Sequence, residues 1–341
     1  MQTIDNLNLA KEHSFKGIVF GIARVPNSSR VFLGASDFKV YEADLSAAKL
    51  EPKELYAHES YVTTVALAGD ILVSGGYDGK LIWWDTKAGK QVRSIDAHSK
   101  WIRKAVVSPD GSHLASVADD MVCRVWDVKT GKKLHELRGH EERTPTHFGS
   151  MLYAVTWSAD GKQIATADKV GHIVVWDAKT GSQMATMEAP VMYTWDPVQR
   201  LHSIGGIRSL AFSPDGKLLA VGGTGKIGNI DHLEAKMRIE IFDWREKKQI
   251  GEYVADKAQG IVNHLQFAPD GSWLLGAGGA GDGSLVFIDV AQKKIVRQEK
   301  LGMHCHHFLL NEAADTIYSV GHNKIAIHEM KKPAVRFPSP R

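Results

Sequence analysis

Three histidines and a cysteine stand together at His304-Cys305-His306-His307. Imidazole nitrogens and thiolates are the donors that hold zinc and similar ions. Such sites use four protein ligands when structural, and three plus water when catalytic. Whether this run can do so depends on its backbone. In a strand successive side chains alternate, so Cys305 and His307 share one side and His304 and His306 the other. All four cannot converge from a regular strand, and two on one side need help from across the fold. The run is therefore read as part of a strand, and no metal is expected there. The sequence shows no other metal-ligand spacing, no paired carboxylates and no Ser-His-Asp grouping, so neither catalysis nor a cofactor is expected.

The elements that position these residues show themselves by repetition. Four turns align, Ser108-Pro-Asp-Gly111, Ser158-Ala-Asp-Gly161, Ser213-Pro-Asp-Gly216 and Ala268-Pro-Asp-Gly271. Proline presets φ and glycine accepts a positive one, which makes each a turn. Runs of alternating apolar and polar residues flank every turn. A further run ends at Asp85, Asp127, Asp177, Asp243 or Asp289. A period of two, rich in β-branched and aromatic residues, predicts four antiparallel strands per unit. Two glycine runs, 223–228 and 276–281, fit G-x-G-x-x-G, but each leads into a strand-like segment. A dinucleotide site needs a helix there, so these are read as loops.

The 341 residues carry 42 basic and 39 acidic side chains, a net charge of +3, with no block of like charge. A nucleic-acid partner is not expected from this. The two cysteines, Cys123 and Cys305, form no disulfide framework, the first residues do not read as a secretory signal, and no apolar stretch is long enough to span a membrane. The expected location is the cytoplasm.

The repeated pattern, a Gly-His near the start and a Trp-Asp near the end of each unit, resembles the WD-repeat β-propeller family. The family's unit is about 40–45 residues, four strands making one blade. Seven units centre on Tyr41, Trp84, Trp126, Trp176, Phe242, Ile288 and His328. The resemblance implies an all-β, seven-bladed propeller spanning residues 1–332, its last blade completed by an N-terminal strand at 6–13. A basic, proline-rich tail, 333–341, follows. It further implies a buried relay within a blade: His58, Ser74, Asp78 and Trp84 in one, His98, Ser116, Asp120 and Trp126 in the next. A third unit keeps His140, Thr166 and Trp176 but has Val170 at the acidic position, with Asp168 out of register. His304 falls at the Gly-His position of its own unit.

Function is sought where the repeats are irregular. Extra length falls at 141–151, 190–206 and 224–237, and the resemblance puts all three on one face, the top. Tyr193 and Trp195 are anchors for a partner, with Arg143, His147, Arg200, His202, Lys226 and His232 around them. The top of each innermost strand should ring the channel mouth: Phe20, Thr63, Arg103, Tyr153, Arg208, Asn263 and His307, with Tyr61 and Trp101 just above. Arginines and flat rings suit a negatively charged or carboxylate-bearing segment. The expected function is a non-catalytic scaffold, as a monomer or in a hetero-complex, that binds a protein or peptide here. An enzyme or ligand-binding propeller and a purely structural subunit are the alternatives.

Overall fold

The computed structural model describes residues 4–196, 202–228 and 235–330. The tail 333–341, Arg200 and His232 lie outside the described residues. Local chemistry sets the turns. In the first, Gly111 takes φ +74° and its N–H donates to the Ser108 carbonyl at 2.8 Å. Asp110 Oδ1 accepts from Ser112 N at 3.0 Å, and Ser108 Oγ from His113 N at 2.9 Å. The aspartate that ends each third strand does similar work. Asp127 Oδ1 accepts from both the backbone and the hydroxyl of Thr130 at 2.7 Å, ahead of Gly131. These aspartates cap exposed turns and lie outside the core.

Among the described residues the strands form five four-stranded sheets, one six-stranded sheet and a two-stranded hairpin. The protein is an all-β propeller of four-stranded antiparallel blades. Seven separate blades were expected, but hydrogen bonding separates six large sheets. The reason is the strand Leu7–Arg24, which runs from one partner to another. Leu7–Ser14 pairs with the end of Thr316–Met330, and Val19–Arg24 pairs with Arg30–Ala35. The glycine runs begin within the strands Leu218–Thr224 and Trp273–Gly278, and the next described elements are the strands Lys236–Asp243 and Ser284–Asp289.

One sheet cannot cover both its faces, so the core lies between sheets. Leu81 and Trp83 of one blade pack with Ile102, Leu114 and Trp126 of the next. Close approach needs small residues: a Cβ on Gly222 would meet Val262 at 2.7 Å and Leu265 at 2.9 Å. The innermost strands are stitched by polar bonds. Thr64 Oγ1 donates to the Ala105 carbonyl at 3.0 Å, Thr63 Oγ1 to the Ile102 carbonyl at 2.7 Å, and Asn263 Nδ2 to the Cys305 carbonyl at 2.8 Å. No helix among the described residues is long and apolar enough to cross a membrane.

Candidate binding surface at the channel mouth

The seven innermost-strand positions, Phe20, Thr63, Arg103, Tyr153, Arg208, Asn263 and His307, line one cavity of about 290 Å³. Tyr77, Lys104 and His306 line it too. The strands bring these residues together because most hold one register position, the residue at which each innermost strand bulges; in the last strand that position is His306, and the expected His307 lies one residue further on, level with His264. Their chemistry differs from what their types suggest. Arg103 is already paired: it donates to both oxygens of Asp119 at 2.7 and 2.6 Å, and to the Tyr77 hydroxyl at 2.7 Å. Asn263 is held by the Cys305 carbonyl. His307 Nδ1 accepts from the Ile22 N–H at 3.2 Å, and its ring lies 4.0 Å from that of His264. Arg103 and Asn263 thus spend their donors within the protein, and His307 spends Nδ1 as an acceptor.

Arg208 is different. Its guanidinium lies 3.3 Å above the Tyr153 ring, and its buried Nη1 has no hydrogen-bond partner among the described residues. Lys104 is half-buried, and its ammonium donates to His264 Nδ1 at 3.1 Å. Burial pushes the Lys104 ammonium down to about 8. Burial, with repulsion from Arg103, pushes Arg208 down to about 9. Both stay charged at neutral pH. Three cations and no carboxylate line the cavity, the nearest acid, Asp119, being committed to Arg103. A buried N–H without an acceptor is costly, and a carboxylate oxygen is the group that would satisfy it.

An aromatic belt borders this mouth. Tyr77 stacks on Trp101 with centroids 4.4 Å apart, Tyr61 lies 5.7 Å from Tyr77, and Phe38 5.5 Å from Tyr61. Phe38, Tyr61 and Trp101 are 40%, 41% and 48% exposed. Tyr61 and Trp101 were expected here. Tyr77 and Asp119 were not; both sit in turns beside the relay aspartates, the one signal that pointed to them.

The inserts adjoin the same mouth. Met151 Sδ accepts from Arg103 at 3.5 Å and from the Tyr153 hydroxyl at 2.7 Å. The second insert forms the hairpin Tyr193–Asp196 with His202–Gly205. Tyr193 is not a free anchor, because its hydroxyl bonds Thr146 of the first insert at 2.6 Å. Trp195 on the same hairpin is 44% exposed.

The relays are laid out as follows. His98 Nδ1 lies 3.0 Å from Asp120, and its Nε2 takes the Ser116 hydroxyl at 2.8 Å. Ser116 in turn accepts from the Trp126 indole at 2.9 Å. His58 likewise joins Asp78 at 2.9 Å and Ser74 at 2.7 Å. Trp84 does not join this set: its indole N–H has no acceptor, and Tyr56, stacked on it at 4.7 Å, bonds Ser74 instead at 3.0 Å. The third unit differs from expectation. Asp168, two residues ahead of Val170, reaches His140 at 2.9 Å, and Thr166 links His140 to Trp176. Its other oxygen accepts from Val170 and His172 N–H at 3.0 Å, which holds the shifted carboxylate in place.

In the histidine run, His304 and His306 do share a side, and Cys305 is a buried free thiol on the other. The sequence reading missed His322. Its Nε2 lies 3.1 Å from His306 Nε2, and its ring 4.9 Å from that of His304.

A family model described as outer membrane protein assembly factor BamB matches residues 40–299. Among curated proteins the chain is similar to apoptotic protease-activating factor 1 of Rattus norvegicus, 28% identical over 170 residues, 50% of this chain and 13% of that protein. It is 30% identical over 155 residues to small ribosomal subunit protein RACK1y of Oryza sativa subsp. japonica, 44% of each. It is 30% identical over 154 residues to U3 small nucleolar RNA-interacting protein 2 of Homo sapiens, 43% of this chain and 32% of that one. The chain spans less than half the length of each of these relatives.

Proposed function

From a chain that belongs to the WD-repeat β-propeller family and, over residues 40–299, to the family described as outer membrane protein assembly factor BamB, we infer a non-catalytic scaffold that binds a segment of a partner protein. The segment lies across the face that carries the inserts, and an acidic side chain enters the mouth. One observation carries this reading: the buried Arg208 Nη1 has no acceptor, in a cavity lined by cations and no acid. The exposed rings of Tyr61, Trp101 and Trp195 supply flat apolar area at the rim, the usual material of interface anchors.

A protein segment is favoured over nucleic acid because the charge is local and the net charge is only +3. One relative is named as RNA-interacting, so RNA belongs in the test. The cytoplasm is the proposed location, supported by two free buried thiols.

The six-stranded sheet is read as two blades sharing one long strand, which makes seven in a single domain, with the N-terminal strand as the outer strand of the last. The support is local. Register shifts interrupt Leu7–Arg24 between Ser14 and Ile18, and Thr316–Met330 contains Asn323 at φ +59°.

The test is selection of linear peptides from a display library against the whole chain. Selected peptides should share an acidic residue, and Arg208→Met and Trp101→Ala should each weaken their binding by about 2 kcal/mol. Lys217→Glu, at a turn outside the mouth, should not. Peptides that bind all three variants as tightly as the parent, or a single-stranded RNA that outcompetes them, would overturn the proposal.

A further inference from the structure

Away from the Arg208 side of the mouth, three imidazoles meet. The rings of His304, His306 and His322 have centroids 4.7, 4.9 and 5.1 Å apart, and one nitrogen from each lies within 4.8 Å of the others. We propose that His304, His306 and His322 form a binding site for a divalent first-row transition metal, zinc foremost. One ring nitrogen comes from each, and the fourth position is left to water or an exogenous donor.

The backbone builds this convergence. A register shift between Cys305 and His307 leaves His306 at a bulge, a feature that re-aims a side chain. The N–H of His322 donates to the His304 carbonyl at 3.0 Å, which ties the two chain segments together at the cluster itself. That approach is possible because the neighbour is Gly321: a Cβ there would lie 1.9 Å from the same carbonyl. From outside, the edge of Phe20 packs on His306 at 4.9 Å, and the Asn263 amide nitrogen lies 3.1 Å from His304 Nε2. The rings are therefore held by structure other than a bound ion, as a site needs if it is to be ready for one.

The donor set decides the ligand class. Three neutral imidazoles suit zinc, copper, nickel or cobalt and are poor ligands for magnesium or calcium, which take oxygen. The 3.1 Å between His306 Nε2 and His322 Nε2 is close to the ligand–ligand edge of about 3.3 Å that tetrahedral zinc requires at a Zn–N distance of about 2.0 Å. The His304 nitrogen lies within 4.8 Å of the other two, so its ring must turn inward when an ion binds. Cys305 stays out: its thiol faces the other way, buried, and burial pushes it up to about 12.

The test uses untagged whole chain stripped with chelator. Zinc is titrated by calorimetry, and cobalt by its visible absorption, which reports coordination geometry. One equivalent should bind, with the intense cobalt bands of a four-coordinate site, and zinc should raise the melting temperature. His306→Ala and His322→Asn should each weaken binding by about 100-fold or more. His135→Ala, a half-buried histidine on another blade, should leave it unchanged. His322→Asn, on the strand Thr316–Met330 next to the positive-φ Asn323, keeps a polar side chain of smaller size and decides the matter if His306→Ala does not fold. Absence of saturable one-to-one binding, or equal loss in the His135 control, would overturn the site. These readouts are independent of peptide binding, so either proposal can fail alone.

Discussion

The blades centred on Trp126 and Trp176 and the sheet that follows them solve the same problem in opposite ways. Each must satisfy polar groups buried between sheets. In the first two an imidazole links a hydroxyl and a carboxylate, His98 between Ser116 and Asp120, His140 between Thr166 and Asp168. In the sheet built from Ser209–Phe212 to Lys248–Gln259 no such relay exists among the described residues. Two residues before Phe242, the position that Arg124 holds before Trp126, stands Glu240. It is paired with Arg238 at 2.6 Å, and Arg238 also reaches Glu252 at 2.8 Å. Burial pushes the Glu240 carboxyl up, against the pull of Arg238. The relay histidines lie just past the outer strand of the preceding blade: His140 is two residues past Arg138. The same place two residues past Glu188 is Pro190, where the 190–206 insert begins. A corner given to the insert cannot also host the relay, and the blade falls back on an ion pair.

Four measurements would break or sharpen this contrast. The largest effect belongs to the pairing that either half of the ring depends on. Deleting residues 4–12 removes the segment paired with Ala326–Met330 and exposes an edge, which invites aggregation. A soluble, monomeric deletion variant by light scattering, with the parent's melting temperature, would show that strand to be dispensable. Next, Glu240→Ala leaves Arg238 with only the exposed Glu252 and should cost about 3–5 kcal/mol in urea unfolding. A loss below that of the relay variants would remove the distinction between pair and relay.

Asp120→Ala and Asp168→Ala should cost alike, about 1–3 kcal/mol each, since both carboxylates receive a buried imidazole N–H. A much smaller loss at Asp168 would mean that the shifted carboxylate is a poor substitute. The pH dependence follows from the relay. Burial first, and Arg124 second, hold His98 below its ordinary value of 6.5, so the folded state keeps it neutral while the unfolded chain takes up a proton. His98 and Arg124 hold Asp120 well below 3.8. In both cases the unfolded chain binds more protons, so stability falls as pH drops below about 6.5 and again below about 4. The gap in urea midpoint between the parent and Asp120→Asn should begin to narrow below about pH 4 as pH is lowered from 7 to 3; a constant gap would contradict the assignment.

Turns, strand pattern and channel-lining register were legible in the sequence because each is a local or periodic property. Ser108 to Gly111 forms its turn from its own atoms, and most mouth positions follow from counting along equivalent strands, the last slipping by one residue to His306 because the loop before that strand differs in length. What stayed hidden depended on neighbours. Asp119 neutralises Arg103 from the turn after the adjacent strand, Tyr56 displaces Trp84 at Ser74, and His322 joins His306 by a return of the chain. Asp168 was missed for a subtler reason. A carboxylate two residues early still reaches the imidazole once the backbone N–H groups of Val170 and His172 hold its other oxygen. Residue type at one repeat position is thus a weaker guide than reach.

The unpaired N–H of Arg208 has a consequence for anyone who improves this protein by selection for heat resistance. The ligand-free fold carries a buried cation whose Nη1 finds no hydrogen-bond acceptor among the described residues. Replacing it with an apolar side chain of similar size relieves that strain, so a screen on melting temperature alone should enrich Arg208→Met or Arg208→Leu. Those survivors would be the sturdier molecules and the poorer binders, the trade-off expected when recognition is built from local instability.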